Sequence, residues 1–187
     1  MILPIVAYGD PVLTTKATNI SADYPQLKEL IANMFETMYE ANGVGLAAPQ
    51  IGLSIRLFVI DASAYDEEQF KEEKRVFINA EILEFIGDEW AFNEGCLSIP
   101  EVRGDVFRPE GIRIRYFDEN FQEHIAEFDD MPSRIIQHEY DHIEGKLFTE
   151  KLAPLRRRLV QKKLDQIKQG IVQVGYKMRF PRASRKK

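Results

Sequence analysis

Two histidines and a glutamate stand in the spacing H-E-x-x-H, at His138, Glu139 and His142. On a helix, positions 138 and 142 lie one turn apart on the same face, so their imidazoles can reach one metal ion. Glu139 is offset by one position, so it can lie beside an open coordination position and take a proton from bound water. The pattern therefore predicts a hydrolytic metal site, and a surface helix with two solvated histidines is the alternative.

A catalytic metal site usually has three protein ligands and one open position, so the sequence must supply a third ligand. The single cysteine, Cys96, lies in "NEGCLSIPE", where glycine and proline indicate a shaped loop. A thiolate suits a borderline metal, although a lone cysteine is usually an inert buried residue. His124, the remaining histidine, lies in an alternating stretch that is typical of a polar strand residue. These residues make Cys96 the better candidate.

A third segment, "NGVGLAAPQIG", combines small residues with one amide side chain. Gly43 and Gly45 allow the backbone to approach a ligand closely, and Gln50 can donate a hydrogen bond to an oxyanion. By itself, the segment fits a tight turn after the first helix at least as well.

The composition favours one domain without a membrane segment. The chain has 187 residues, of which 44% are hydrophobic and 29% charged. No apolar run approaches the roughly 20 residues that cross a bilayer, and the N-terminus lacks a basic region before its apolar residues. A single cysteine excludes an internal disulfide and fits a reducing compartment. We therefore expect a cytoplasmic protein that does not bind membranes.

The charges are distributed unevenly along the chain. Residues 151–187 contain 13 lysines and arginines and one acid, whereas residues 1–150 contain 12 basic and 29 acidic residues. A basic segment on an acidic body indicates a polyanionic partner for that segment, although long basic runs are often only solvated.

Periodicity and stop signals predict the elements that hold these residues. We expect helices at 24–43, 129–145 and 152–170, strands at 56–61, 76–87, 112–117 and 121–128, and a surface loop at 62–74. The apolar stripe of the last helix is formed by Leu152, Leu155, Leu159, Leu164 and Ile167, and residues 176–187 are expected to be frayed. The elements predict an α+β fold, with antiparallel or mixed strands packed around a central helix that carries H-E-x-x-H.

Taken together, "GVGLAAPQ" (43–50), "EGCLS" (94–98) and "HEYDH" (138–142) resemble the three signature motifs of the peptide deformylase family, in the family's order. The resemblance extends over about residues 1–170 and includes a C-terminal helix like that of the bacterial form. It implies a metallohydrolase domain at 1–170 that includes the helix at 152–170. The basic tail at 171–187 is outside any motif, and 62–74 looks like an insertion.

The resemblance implies a function for each motif. Cys96, His138 and His142 would bind one divalent metal, Fe(II) in most bacterial members, with Zn, Ni or Co able to occupy the site. Glu139 would act as general base and acid while metal-bound water attacks the formyl carbonyl. The implied reaction removes the N-formyl group from the formylmethionine of nascent proteins and releases formate.

The resemblance also implies how substrate is held. Gln50 and the backbone N–H of Leu97 would stabilise the oxyanion, and the glycine segment of Gly43 and Gly45 would bind the substrate backbone through the Gly45 N–H. Apart from the resemblance, Arg103 is expected near the path of the downstream substrate backbone, and a solvated charge is the alternative. Independently of the resemblance, Ile135 on the predicted helix is a candidate for the wall of a methionine pocket, and a plain core position is the equal alternative. The basic helix would dock on ribosomal RNA, where nascent chains emerge.

Two further contacts are expected near the ligands. Glu94 is expected to pair with Arg108 and hold the Cys96 loop, and Asp141 is a candidate for fixing the helix or the tautomer of a ligand. Solvated acids are the alternative for both carboxylates.

Three other functions remain open from the residues alone. A general metallopeptidase shares H-E-x-x-H, but the cysteine and glycine segments argue against it. A ribosome-binding protein with a structural metal would need a fourth protein ligand, and His124 is the only spare histidine. A redox function for Cys96 would require a reactive thiol in the metal-loaded protein.

Overall fold

An antiparallel sheet of five strands forms the main layer of the computed structural model, which describes residues 1–181. The strands pair in chain order, so each hydrogen-bonds to its sequence neighbours. They are β2 (Gly45–Ala47), β3 (Leu57–Asp61), β4 (Lys74–Cys96), β5 (Ile99–Phe117) and β6 (Glu123–Phe128). This arrangement confirms the predicted α+β class. Of the two predicted strand arrangements, antiparallel or mixed, the main sheet is antiparallel.

The hairpin of β4 and β5 is much longer than predicted. Its register runs from the pair Ile78–Phe117 near one end to Cys96–Ile99 at the turn, with several irregularities between them. The predicted strands at 76–87 and 112–117 were therefore too short. Residues 88–111 contain glycines, prolines and many charges, which disfavour a strand locally. Pairing with the partner strand overrides that local preference.

The segment at 62–74 is mostly irregular, as expected of a surface loop. Ala62–Ala64 form a 3-10 turn that Asp61 caps through the Ser63 N–H, at 3.0 Å. Phe70 is buried and packs into the core of the sheet, so the segment is anchored at its centre.

Three helices lie where the sequence predicts them, each shorter by a few residues: α1 (Leu27–Glu40), α2 (Asp130–Ile143) and α3 (Pro154–Lys168). Helix α2 carries the histidines and is buried on nearly all sides. Its Ile135 and Ile136 pack with Phe58 and Phe77 of the sheet. Helix α2 is therefore the central element, and the sheet places the remaining site residues next to it.

The predicted apolar stripe of α3 is wrong at two positions. Leu164 and Ile167 are buried as expected, but Leu155 and Leu159 are 71% and 67% exposed. Val160 is buried instead. A helix that packs through a narrow face buries only residues on that face, and periodicity alone does not give the width of the contact.

The expectation of frayed residues at 176–187 is wrong for part of that segment. Strand β7 (Met178–Arg179) pairs in parallel with β1 (Ile5–Val6). The pairing joins residues far apart in sequence, so no local pattern in the tail indicates it. The expected end of the basic tail, residues 182–187, lies outside the described residues.

Among residues 1–181, none of the helices is both long enough and apolar enough to pass through a membrane.

The turn after α2 generates a stability prediction for Gly145, which has φ +72°. A β-carbon there would lie 2.9 Å from the carbonyl carbons of Thr14 and Thr15. We expect Gly145→Ala to lower the free energy of unfolding by about 1–3 kcal/mol in urea denaturation, because alanine is strained at this φ and meets backbone. Gly175→Ala is the matched control, since a β-carbon at 175 meets nothing within 4 Å. Equal effects of the two substitutions would contradict the explanation.

Candidate metal centre and active site

The ligand atoms of Cys96, His138 and His142 lie within 4.8 Å of one another. His142 Nε2 is 3.3 Å from Cys96 Sγ, and the two imidazole rings are 5.1 Å apart. Helix α2 supplies both histidines, and the end of β4 supplies the cysteine. Tetrahedral sites with metal–sulfur bonds of about 2.3 Å and metal–nitrogen bonds of about 2.1 Å bring ligand atoms to such separations. The geometry and the donor set therefore fit one divalent metal.

The hydrogen bonding of His138 supports this interpretation. Its Nδ1 is 3.0 Å from Glu94 Oε2, which leaves Nε2 for a ligand. Burial disfavours a charged imidazole, yet hydrogen bonds with Cys96 and Glu94 raise the pKa of His138 well above its usual value. Surroundings that stabilise a proton at this position also suit a metal cation.

The second imidazole is held in its neutral form. Burial and the nearby charges of His138 and Arg108 lower the pKa of His142 well below its ordinary value. A neutral imidazole keeps the lone pair that a metal ligand needs. His124, the other candidate ligand, pairs instead with Asp118 at 2.8 Å and stacks on Tyr116.

The carboxylate of Glu94 is the centre of a buried ion-pair network. Arg108 donates to both of its oxygens, at 2.7 and 3.0 Å, and Arg134 donates at 3.0 Å. Arg108 also reaches Asp141 at 2.7 Å. Although burial alone would raise it, the pKa of Glu94 is held well below its usual value by hydrogen bonds from His138 and Arg108. The predicted Glu94–Arg108 pair is confirmed, and Asp141 holds Arg108 in place.

Glu139 is buried but lies outside this network. Its Oε2 has no hydrogen-bond partner among residues 1–181, and its carboxyl lines the same cavity as His138. Burial raises the pKa of Glu139 to about 7, against the opposing charges of His138 and Arg108. A β-carbon at Gly45 would overlap Glu139 Oε1, so the glycine leaves room for this carboxyl. A carboxyl with a near-neutral pKa can both accept and return a proton.

The amide of Gln50 is held in one orientation. Its Oε1 accepts a hydrogen bond from the Ala47 N–H at 2.8 Å, which directs Nε2 towards Cys96 Sγ and Ser98 Oγ, each at 3.4 Å. Gln50 is 1% exposed overall, yet it lines the cavity. The predicted amide donor is therefore next to the candidate metal ligands.

A cavity of about 400 Å³ connects these groups to the surface. Val44, Phe92 and Ile135 give it an apolar wall, so the structure places Ile135 in the cavity lining as well as in the core. The cavity is also lined by the other residues that the sequence proposes for substrate or oxyanion, namely Gly43, Gly45, Leu97 and Arg103.

Arg134 and Tyr176 are among the residues of the site that sequence reasoning missed. Arg134 lies 4.3 Å over the Trp90 ring and donates to Glu94. An arginine directly before Ile135 and Ile136, on a helix predicted to be apolar on that side, was the available signal. Tyr176 lines the cavity from the segment after α3. No local pattern around Tyr176 indicates that position.

Comparisons with known proteins agree with the geometry. The model of the family described as "Polypeptide deformylase" matches residues 2–158. The peptide deformylases of Christiangramia forsetii and Flavobacterium johnsoniae are similar to the chain at 57% and 54% identity, and each alignment covers 99% of both proteins. The crystal structure of a peptide deformylase from Legionella pneumophila is similar with a TM-score of 0.80 and 38% identity, over 90% of this chain and 96% of that one.

The ion-pair network generates a second stability prediction. Arg108→Met leaves two buried carboxylates without their shared cation, so we expect a loss of about 3–5 kcal/mol in the free energy of unfolding. Arg115→Met removes an exposed pair with Glu81 and is expected to cost less than about 1 kcal/mol. Urea denaturation of the two variants measures the difference. A similar small loss in both would show that the buried network adds little stability.

Proposed function

The chain belongs to the polypeptide deformylase family and is an enzyme that deformylates nascent proteins, and from this premise we propose how its residues carry out the reaction. The convergence of Cys96, His138 and His142 beside the buried carboxyl of Glu139 is the observation that supports the proposal. The substrate is the formylmethionine at the start of a new chain, and the products are formate and a free amino terminus.

Cys96, His138 and His142 would hold one divalent metal. When bound, such a metal polarises a carbonyl oxygen and lowers the pKa of a coordinated water to about 7. We propose Fe(II) as the metal in the cell, with Zn, Ni or Co as ions that the same ligands accept. A set of one thiolate and two imidazoles is compatible with each of these borderline metals.

Glu139 performs the proton transfers. Its carboxyl is buried next to the ligands, and its pKa of about 7 suits a group that must first accept a proton and then donate it. It takes the proton from the attacking water and returns it to the leaving amine. Gly45 keeps space around the carboxylate, so both oxygens remain available.

Gln50 and the N–H of Leu97 stabilise the negative charge that develops on the formyl oxygen. The hydrogen bond from Ala47 orients the Gln50 amide before substrate arrives. A pre-oriented donor costs no reorganisation when the charge forms, and removal of one such donor typically lowers kcat by about 10²–10³-fold.

The substrate backbone pairs with strand β2. This strand is at the edge of the sheet and hydrogen-bonds to β3 on one side, while Gly43 and Gly45 line the cavity. An extended peptide can add to such an edge through its main chain. The methionine side chain then enters the apolar part of the cavity, and Arg103 lies along the path of the following residues.

The basic helix α3 is proposed to hold the enzyme on ribosomal RNA. Arg157, Arg158 and Lys162 are exposed, next to the exposed Leu155 and Leu159. The basic side chains form a positively charged surface and do not pack in the core. Action in the cytoplasm, where nascent chains are made, follows from this substrate and partner.

Substitution of the proposed base and of one ligand tests the mechanism. Glu139→Gln is expected to keep one metal per chain and to lower kcat by about 10²–10⁴-fold, because the proton acceptor is lost and the ligands remain. His142→Ala is expected to lose metal as well as turnover. Formate release from formyl-Met-Ala peptides and metal content measured under anaerobic conditions give the two readouts.

Glu101→Gln is the matched control for this experiment. Glu101 also lines the cavity, but it is half-exposed and pairs with Lys163. We expect turnover to change little in this variant. Turnover by Glu139→Gln at the rate of the parent enzyme would remove Glu139 from the mechanism.

Binding to purified bacterial ribosomes tests the role of α3. Replacement of Arg157, Arg158 and Lys162 by glutamine should weaken binding and reduce the slope of log affinity against log salt by about 2–3, as the loss of three phosphate contacts requires. Turnover of short formyl peptides should stay unchanged.

The matched control for ribosome binding removes three exposed charges elsewhere, at Lys28, Lys71 and Arg113. We expect a smaller change in affinity and salt slope. Equal weakening by the two triple variants would indicate general electrostatic attraction and argue against a docking surface on α3.

A further inference from the structure

The segment after α3, residues 171–181, returns to the wall of the catalytic cavity. It is held there by parallel pairing with β1, in which the Ile5 N–H donates to Lys177 O at 2.8 Å and the Ala7 N–H donates to Arg179 O at 2.9 Å. The position of residues 177–179, directly after Tyr176, is therefore fixed by backbone hydrogen bonds to the rest of the domain.

Tyr176 makes the contact between this segment and the Cys96 loop, by which we mean Cys96 at the end of β4 and the turn of Leu97 and Ser98 that follows it. Its hydroxyl donates to the carbonyl oxygen of Leu97 at 2.7 Å. Its ring and the Leu97 side chain pack against the same apolar cluster, and both residues line the cavity. The tyrosine therefore contacts the residue directly after the cysteine ligand.

The next carbonyl, that of Ser98, is held by the segment that follows β1. The Tyr8 N–H, two residues after β1, donates to Ser98 O at 2.8 Å. Gln50 Nε2 lies 3.4 Å from Ser98 Oγ. Two consecutive carbonyls, those of Leu97 and Ser98, are thus fixed from outside the loop, which restricts the orientation of the peptide units around Leu97.

We propose that Tyr176 is a positioning residue, which holds the Leu97 backbone so that its N–H points at the formyl oxygen of the substrate. The inference rests on the proposed function, because that function gives the Leu97 N–H its catalytic role. It assigns the segment at 171–181 to the active site, although none of the three sequence motifs includes it.

The chemistry of the phenol suits this role. Burial and, to a smaller extent, the nearby Cys96 raise the pKa of Tyr176 above its ordinary value, so the hydroxyl stays protonated and remains a donor. The ring alone would preserve the cavity wall. The hydroxyl therefore accounts for the positioning of the loop and the ring for the packing, so the two contributions can be tested separately.

Tyr176→Phe tests the proposal because it removes the hydroxyl and keeps the ring. We expect kcat for a formyl-Met-Ala-Ser peptide to fall about threefold to tenfold, the value of one partly buried hydrogen bond, while KM changes less than about twofold. The kcat is calculated per folded, metal-loaded molecule, from circular dichroism and metal content, so a loss of folded protein does not contribute. An unchanged kcat would overturn the proposal.

Hydrogen exchange gives a readout that does not depend on turnover. In both zinc-loaded and metal-free protein, we expect the peptide containing residues 96–99 to exchange faster in Tyr176→Phe, because the Leu97 carbonyl is released. Exchange in α1 should stay the same. Unchanged exchange at 96–99 would contradict the positioning role.

Tyr24→Phe is the matched control. Tyr24 packs against the same apolar cluster but lines a different surface cavity. We expect it to keep the kcat of the parent enzyme and the exchange rate at 96–99, and an equal loss in both variants would overturn the proposal. Failure of the parent enzyme to release formate would instead refute the proposed function, and the exchange measurement would still test the contact.

Discussion

Two arginines and a histidine share the buried carboxylate of Glu94, and an ionised group in such a position is stable only while its partners stay in place. Glu94 and Arg108 come from the two strands of the long hairpin, whereas Arg134 and His138 come from α2. The requirement to neutralise this carboxylate therefore fixes the hairpin against the helix. Because Cys96 lies two residues after Glu94, the same constraint brings the thiol to the imidazoles.

The two buried glutamates of the site differ in their surroundings. Glu94 has cationic partners that keep its pKa low, whereas Glu139 has an oxygen without a partner among residues 1–181 and a pKa of about 7. Environments that separate the pKa values of neighbouring carboxyls are typical of sites that transfer protons. One carboxylate can thus keep a structural role at neutral pH, while the other is suited to the proposed proton transfers.

The loop that carries Cys96 is held from several directions. The hairpin positions its start, Gln50 approaches the cysteine sulfur, and the carbonyls of Leu97 and Ser98 accept hydrogen bonds from Tyr176 and Tyr8. Loops with functional residues are usually mobile unless a scaffold holds them. Here strands β1 and β7 form part of that scaffold, which links the conformation of the loop to segments far from it in sequence.

The sequence by itself determined the local parts of this protein. Glycine and proline around Cys96 predicted a shaped loop, which in the structure is only the turn of Leu97 and Ser98 after the end of β4. The spacing of His138, Glu139 and His142 predicted one helical face, and periodicity located all three helices within a few residues. These features depend on neighbours within about one or two turns, so they can be read from a short window.

Only the tertiary structure decided which distant groups meet. It extended β4 and β5 through residues with poor strand preference, exposed Leu155 and Leu159, and placed Arg134 under the carboxylate of Glu94. It also brought Tyr176 to the Cys96 loop from a segment without a local signal. The physical reason is that cross-strand pairing and burial of charge act between residues that are far apart in the chain, where local preference carries no information.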